Sequence, residues 1–460
     1  MRVNRRQFIR RTSGGIVASA LAPGALTLAN PLTPPRPIRF TPYRPKHTLG
    51  PVLQVTPEDG GSFANTYYDV APWSPSGRYL ALTRFPFQDR IARLGDIADV
   101  VIVDLHERTL RTVYRTRCWG FQMGAILNWG VDDTLLYTND ILNEGHSVGI
   151  RLDLASGETT AFAGPKYDLD PSDERAIGPD LEHLNLTQYA YGPPAADPEQ
   201  IQRPDPTKKA VSGVWESWPT QSKRRLLVSL QTAENTVQDP EFYRGGASTF
   251  FHVKFSPNRR RLMLVHRCVF DPEIVARKPR KAGRNPSLLT STADGKLLRE
   301  AVSRQHWAQG GHHPNWHPDS NQLVMNLTPT WLGEPKFLRF CQFRPDGSEL
   351  RILSHNHIGS GHPSIDPTER FLLSDCYPFE PMATDSGEVP IRLIDLRSDT
   401  EESICHIFTD LGRSIKIPRK YGPAKLDAHP VWRSDGKQVC FNGAPEGTRQ
   451  VFVADLDGVI

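Results

Sequence analysis

Cysteine is scarce in this chain, six residues in 460, and no two of them form a Cys-x-x-Cys pair. Cys118, Cys268, Cys341, Cys376, Cys405 and Cys440 are spaced too widely for a zinc ribbon or a thioredoxin-like motif. Cys268, Cys376 and Cys440 also close apolar, strand-like runs where buried thiols belong, so no disulfide framework is expected. An excess of one charge is missing too: 55 Lys+Arg against 51 Asp+Glu leave a formal +4, which argues against a nucleic-acid partner. No apolar run is long enough to span a bilayer. The stretch from Gly14 to Ala29 is short and rich in Gly, Ala and Pro, so a stable membrane span is excluded.

What the chain does have is punctuation. Forty Pro and 35 Gly, in a composition that is 38% hydrophobic and 23% charged, suit many short strands and turns rather than long helices. At the N-terminus, Asn4-Arg5-Arg6-Gln7-Phe8-Ile9-Arg10 precedes the weakly apolar run, and Thr27-Leu28-Ala29 supplies small residues for cleavage. This resembles a twin-arginine export signal over residues 1–30, which implies the twin-arginine translocase as a transient partner and a periplasmic or secreted destination. Residues 31–51 carry seven prolines, from Pro31 to Pro51, and read as an extended linker.

From residue 52 to 460 the sequence repeats itself. A short apolar stretch, a turn of the Ser-Pro-Asp-Gly type and a second apolar stretch recur as APWSPSGRYLALTRF (71–85), LNWGVDDTLLYTN (127–139), YDLDPSDERAIG (167–178), VKFSPNRRRLMLVHR (253–267), PNWHPDSNQLVMNL (314–327), PSIDPTERFLLSDC (363–376) and PVWRSDGKQVCFNG (430–443). Each copy is followed by a second hairpin, RRLLVSLQTAENTV being the expected one for the third unit. Two hairpins per unit make a four-stranded antiparallel blade, and seven blades make an all-β, seven-bladed propeller. The last unit stops one strand short, so Val52–Thr56 is expected to supply its outer strand and close the ring. The units resemble the propeller repeats of Tol-system periplasmic proteins. The repeats take up residues 52–460, so a hydrolase domain of the kind that accompanies the propeller in some peptidases is not expected.

The innermost strands set candidate functional positions at equal depth. Three residues before each blade's marker residue stand Val70, Ile126, Lys166, His252, His313, His362 and His429. Four of these seven are histidine in a chain where His is about one residue in thirty, 15 of 460. Imidazoles converging on a channel suit a divalent transition metal, and equally suit hydrogen bonds that merely tie neighbouring blades together. The loops between second and third strands are long and share the face where the inner strands begin. One of them carries Arg277, Lys278, Arg280, Lys281 and Arg284, with Arg267 just ahead, a cluster that would draw in an anionic ligand.

The stretches GASTFFHVKFSPNRRRLMLVHR, GGHHPNWHPD and GSGHPSIDPTERFLLSDCYP resemble the propeller polysaccharide lyases, namely the oligogalacturonate lyases and ulvan lyases, and NTYYDVAPWSPSGRYLALTRFPF resembles the ulvan lyases in particular. The resemblance implies β-elimination at a uronic acid in an acidic polysaccharide or oligosaccharide. It implies His252 or His146 as base, Arg267 as carboxylate partner, and Tyr243, or else Tyr191, as acid. It also implies His313, His362 and His429 as ligands of a divalent ion (Mn, Zn or Ca). An unperturbed imidazole base would make activity rise through about pH 6–7. Ile126 and Leu127 stand where an ulvan lyase has a further His, and Phe251 where it has a Tyr. These departures keep open a non-catalytic periplasmic propeller that binds glycan or protein.

Overall fold

The computed structural model describes residues 33–460 apart from 143, 144, 198, 200 and 202. Seven antiparallel sheets follow one another around a ring. From the channel outward, blade four is Ala247–Phe255, Arg261–Val269, Ser287–Thr292 and Arg299–Val302. Blade five is Gly311–Trp316, Leu323–Leu327, Arg339–Phe343 and Arg351–Ile352, and blade six runs from Ser364–Ile365 to Thr400–Phe408. The turn between the two inner strands is fixed locally. In blade six the Asp366 carboxylate accepts from the backbone N–H of Thr368 (2.9 Å), Arg370 (2.8 Å) and Phe371 (2.6 Å). The residue closing this turn is left-handed in blades one, three, four, five, six and seven, at Gly77, Glu174, Arg259, Ser320, Glu369 and Gly436.

Strand alternation explains how the blades pack. In blade one, Val101 and Val103 pack with Val431 and Val451 of blade seven, whereas Val100 and Ile102 pack with Trp129 and Leu136 of blade two. Successive side chains of a strand point to opposite faces, so one strand serves two interfaces. The core is therefore a set of apolar layers between blades, with the channel left for polar groups.

Ring closure is as expected from the sequence. Blade seven takes three strands from the C-terminal end and its outer strand, Val52–Gln54, from the N-terminal side, paired Val52↔Ala454, Leu53↔Val453 and Gln54↔Phe452. Residues 36–48 continue along the outer edges: Arg36–Pro37 pairs with blade one, Thr41–Pro42 with the closing strand, and Thr48 with Cys405 of blade six. Phe40, Val52 and Val55 are buried there, each contributing about 1.5–3 kcal/mol of burial. Deleting residues 1–60 is expected to leave a bare strand edge and an aggregating product, measured by size-exclusion chromatography. A monomeric, cooperatively folding product would contradict this account of closure.

The third unit departs from the expected hairpin. Its outer strands are Gly213–Ser217 and Arg225–Ser229, and the following Leu230–Thr236 is a short helix capped by the Ser229 hydroxyl, not a continuing strand. All six cysteines are buried and free. Among the described residues no helix is long and apolar enough to cross a membrane. The proposed export signal lies outside the described residues.

Candidate functional site

The four entrance histidines are placed by irregular backbone. In blade four the strand register slips between Phe250 and Val253, and in blade five between His312 and Asn315, so His252 and His313 each sit on a bulge that turns the side chain out of the sheet. His313 and His429 adopt left-handed conformations (φ 56° and 45°), as does Ile126 at the equivalent place (φ 51°). Such backbone is costly for residues with a Cβ and persists where the surroundings hold it. His362 is preceded by Gly361 (φ 60°), where a Cβ would lie 2.2 Å from both the Asp375 carbonyl and carboxylate oxygens. That close approach lets one carboxylate organise two blades: Asp375 accepts from the His362 N–H (2.9 Å) and the His429 N–H (3.2 Å), and bonds the His362 Nδ1 (2.8 Å).

The rings converge. His313 stacks on His362 with centroids 3.9 Å apart, and His362 meets His429 edge-on at 4.4 Å. His252 stands across the channel, separated from them by Tyr67, whose ring is 5.4 Å from His252 and 4.6 Å from His429. Blade one delivers Tyr67 through an interruption: its inner strand pairs at Ser62–Ala64 and again at Trp73, and the chain between leaves the sheet. The Tyr67 hydroxyl is buried without a partner, and burial pushes its pKa well above the usual value, so it remains protonated. Lys166, the entrance residue of blade three, is structural: its ammonium donates to the Ile126 carbonyl and the Asn128 side chain, both at 2.6 Å.

A metal-sized group forms within this cluster. One nitrogen each of His362 and His429 and a carboxylate oxygen of Asp427 lie within 4.8 Å of one another, all buried. The Nε2 atoms of both histidines and Oδ1 of Asp427 have no hydrogen-bond partner, while Asp427 Oδ2 is 3.0 Å from the Lys425 ammonium. Buried polar atoms are rarely left unpaired, and two imidazoles with a carboxylate suit a divalent transition metal, so the donor set fits. His313 is outside this group: its Nδ1 is 2.7 Å from the Gly361 carbonyl and 2.8 Å from His312 Nδ1. Asp427 is the member that sequence reasoning missed. Its signal was present in Asp427-Ala428-His429, which puts a carboxylate two residues before an entrance imidazole.

Beside the cluster opens a cleft of about 460 Å³, bordered by Tyr67, His252, His313, Tyr377 and Lys425 together with Arg267 and Arg284. His252 is buried, its Nδ1 hydrogen-bonded to the Tyr167 hydroxyl. Burial, then the charge of Arg267, hold its pKa well below 6.5, so the ring is neutral. Arg267 stacks on Phe251, 3.4 Å from the ring centroid, and donates to the Gln188 carboxamide oxygen at 3.1 Å, an oxygen that Arg284 also bonds. Neither guanidinium has a carboxylate partner among the described residues. Burial and the neighbouring Arg284 bring the Arg267 pKa down to about 9, the condition a bound anion would relieve.

Two expected site residues are not brought into the cleft. His146 is largely exposed, with its Nδ1 3.0 Å from Glu182, which raises its pKa. Tyr243 ends the 3-10 turn Pro240–Tyr243 ahead of blade four and is buried, with its hydroxyl 2.8 Å from the Ser287 hydroxyl and its ring against His266. Tyr191 does border the cleft, accepting from the Lys425 ammonium at 3.1 Å. Gly145-His146-Ser147-Val148-Gly149 has the spacing of a nucleophile elbow. It runs into an antiparallel strand, however, and Ser147 donates to Glu182 (2.7 Å), so this is not the strand-to-helix turn a hydrolase needs.

The fold and the site define a class: a seven-bladed propeller whose channel mouth holds a histidine and carboxylate cluster beside an arginine-lined cleft. No protein-family model matches the chain, and no curated protein does. Among solved structures it is similar to the oligogalacturonate lyase of Vibrio parahaemolyticus (11% identity, TM-score 0.60, covering 92% of this chain and 98% of that one). It is also similar to an oligogalacturonate lyase in complex with manganese (15% identity, TM-score 0.57, 93% and 98% covered). A putative TolB from Agrobacterium tumefaciens aligns more loosely (14% identity, TM-score 0.36, 78% and 97% covered). At these identities the likeness to the two lyases bears on the fold alone.

Proposed function

We propose that this protein is an exported polysaccharide lyase that cleaves a uronate-containing polysaccharide or oligosaccharide by β-elimination. The observation that carries the reading is the cleft itself, where a neutral buried imidazole stands with two guanidiniums that have no carboxylate partner among the described residues. Arg267 and Arg284 bind the uronate carboxylate, which lowers the cost of charge developing when C5 loses its proton. His252 takes that proton, its ring oriented through Nδ1 by Tyr167. The electron pair forms the C4–C5 double bond, the C4–O4 bond breaks, and Tyr67 returns a proton to the departing oxygen. His362, His429 and Asp427 would hold a divalent cation, which when bound supplies Lewis-acid stabilisation of the carboxylate. The likeness to an oligogalacturonate lyase in complex with manganese supports manganese as the first ion to test.

The experiment is incubation of the full-length protein with ulvan, polygalacturonate, alginate and glycosaminoglycans. Unsaturated, ultraviolet-absorbing chain ends are expected from at least one. No product from any of them, with metal bound and the fold intact, would replace the lyase by a glycan-binding or protein-binding propeller. Arg267→Met is expected to raise KM by roughly tenfold or more and to flatten the fall of kcat/KM with salt, because one charge-assisted contact is removed. An unchanged KM would place the carboxylate elsewhere.

A further inference from the structure

We propose that Phe379, stacked on Tyr377 at the mouth of the cleft, is a platform for a second sugar ring of the bound chain, a subsite one or more residues beyond the cleavage point. This inference rests on the lyase reading above and adds to it a determinant of chain-length preference. Phe379 is 74% exposed, the most exposed large apolar side chain among the described residues. Its ring is parallel to that of Tyr377, with an interplanar angle of 4° and centroids 5.3 Å apart. Tyr377 in turn borders the cleft and touches the rings of His312, His313 and His362. A continuous aromatic step therefore leads from the candidate centre to solvent.

The step is built rather than incidental. Glu380 pins the loop that carries it, accepting from the Tyr377 N–H (3.0 Å) and from the Ser360 hydroxyl of the neighbouring inner-strand entrance. Glu380 also donates its own N–H to the Tyr377 carbonyl (3.0 Å). A rigid aromatic face left open to water beside a polar cleft is the kind of apolar surface that marks a binding site. A pyranose presents a face of axial C–H groups that packs on such a ring, while its hydroxyls and carboxylate stay at the edges. Cations stand at its edge, in part paired with acids: the Arg419 guanidinium lies 6.0 Å from the Phe379 centroid and 3.6 Å from Asp410, which also pairs with Arg413, while Lys416 and Lys420, the latter 3.7 Å from Glu199, belong to the same loop. An aromatic face with cations at its rim matches a uronate ring better than a neutral sugar or an apolar peptide.

The test uses size-defined oligomers, two and six rings long, of whichever polymer of the panel the wild-type protein cleaves. Phe379→Ala is expected to lower the six-ring to two-ring ratio of kcat/KM by about tenfold, the factor that about 1.4 kcal/mol of lost contact produces. Phe379→Trp should keep the ratio near wild type. Leu332→Ala, removing another exposed apolar side chain on a loop of the same face, should not move it. A ratio unchanged in Phe379→Ala, with wild-type cleavage intact, overturns the platform alone. A wild-type protein that neither cleaves nor binds any polymer of the panel overturns the lyase reading and the platform with it.

Discussion

Replacing His252 by alanine is expected to lower kcat by about 10²–10⁴-fold, the range a positioned general base contributes, with metal content and circular dichroism retained. The pH profile gives the sharper check. A free imidazole would give a rise through about pH 6–7. In the folded protein burial, and then Arg267, keep His252 uncharged well below that range, so kcat/KM should be flat across pH 6–7. The acid limit then comes from stability. His252, His266, His312, His313 and His429 are all held neutral by burial. Each has a folded pKa below the unfolded value of about 6.5. The unfolded chain therefore binds more protons as pH falls, and stability present above about pH 6.5 is lost progressively below it. Thermal unfolding measured from pH 8 to pH 4.5 should show Tm falling in step with activity. A sigmoidal loss of activity near pH 6.5 at constant Tm would remove His252 as the base.

Asp427→Asn is expected to weaken divalent metal binding by more than the ~10–100-fold that loss of an outer partner costs, because it removes the negative ligand from a two-histidine set. The side chain keeps its shape and can still accept from Lys425, so the fold should survive. His362→Ala should have the same effect on metal, but it also breaks the buried bond to Asp375, which makes Asp427→Asn the cleaner variant. Metal analysis of the purified protein, followed by titration of the chelated protein with manganese, reads the outcome without any activity assay. Full stoichiometric metal in both variants would show that these residues do not form the site.

The seven units, the blade pairing and the depth of the histidines were legible in the sequence for one physical reason. A strand–turn–strand pattern is local, its alternation is fixed by strand geometry, and its turn is fixed by a carboxylate or hydroxyl a few residues away. Counting back from Trp73, Phe255 or Trp432 therefore lands on equivalent places in every blade. His313, His362 and His429 do converge, His252 faces them across Tyr67, and Arg267 does border the cleft. The third unit was misread past Ser229 because Leu230–Thr236 is apolar enough to continue a strand, while the Ser229 hydroxyl caps it as a helix.

By itself, then, the sequence determined the propeller, its closure by an N-terminal strand within Val52–Thr56 and a ring of imidazoles at one depth. Only the tertiary structure decided which of them lie together. Asp375 reaches both His362 and His429 across a blade boundary, and Asp427 replaces His313 in the metal-sized group. Tyr67 enters the channel where blade one leaves its sheet, and Arg267 and Arg284 meet over Gln188. Most of these contacts join residues 13 to 96 positions apart and are set by bulges and left-handed entrances whose direction no local pattern encodes.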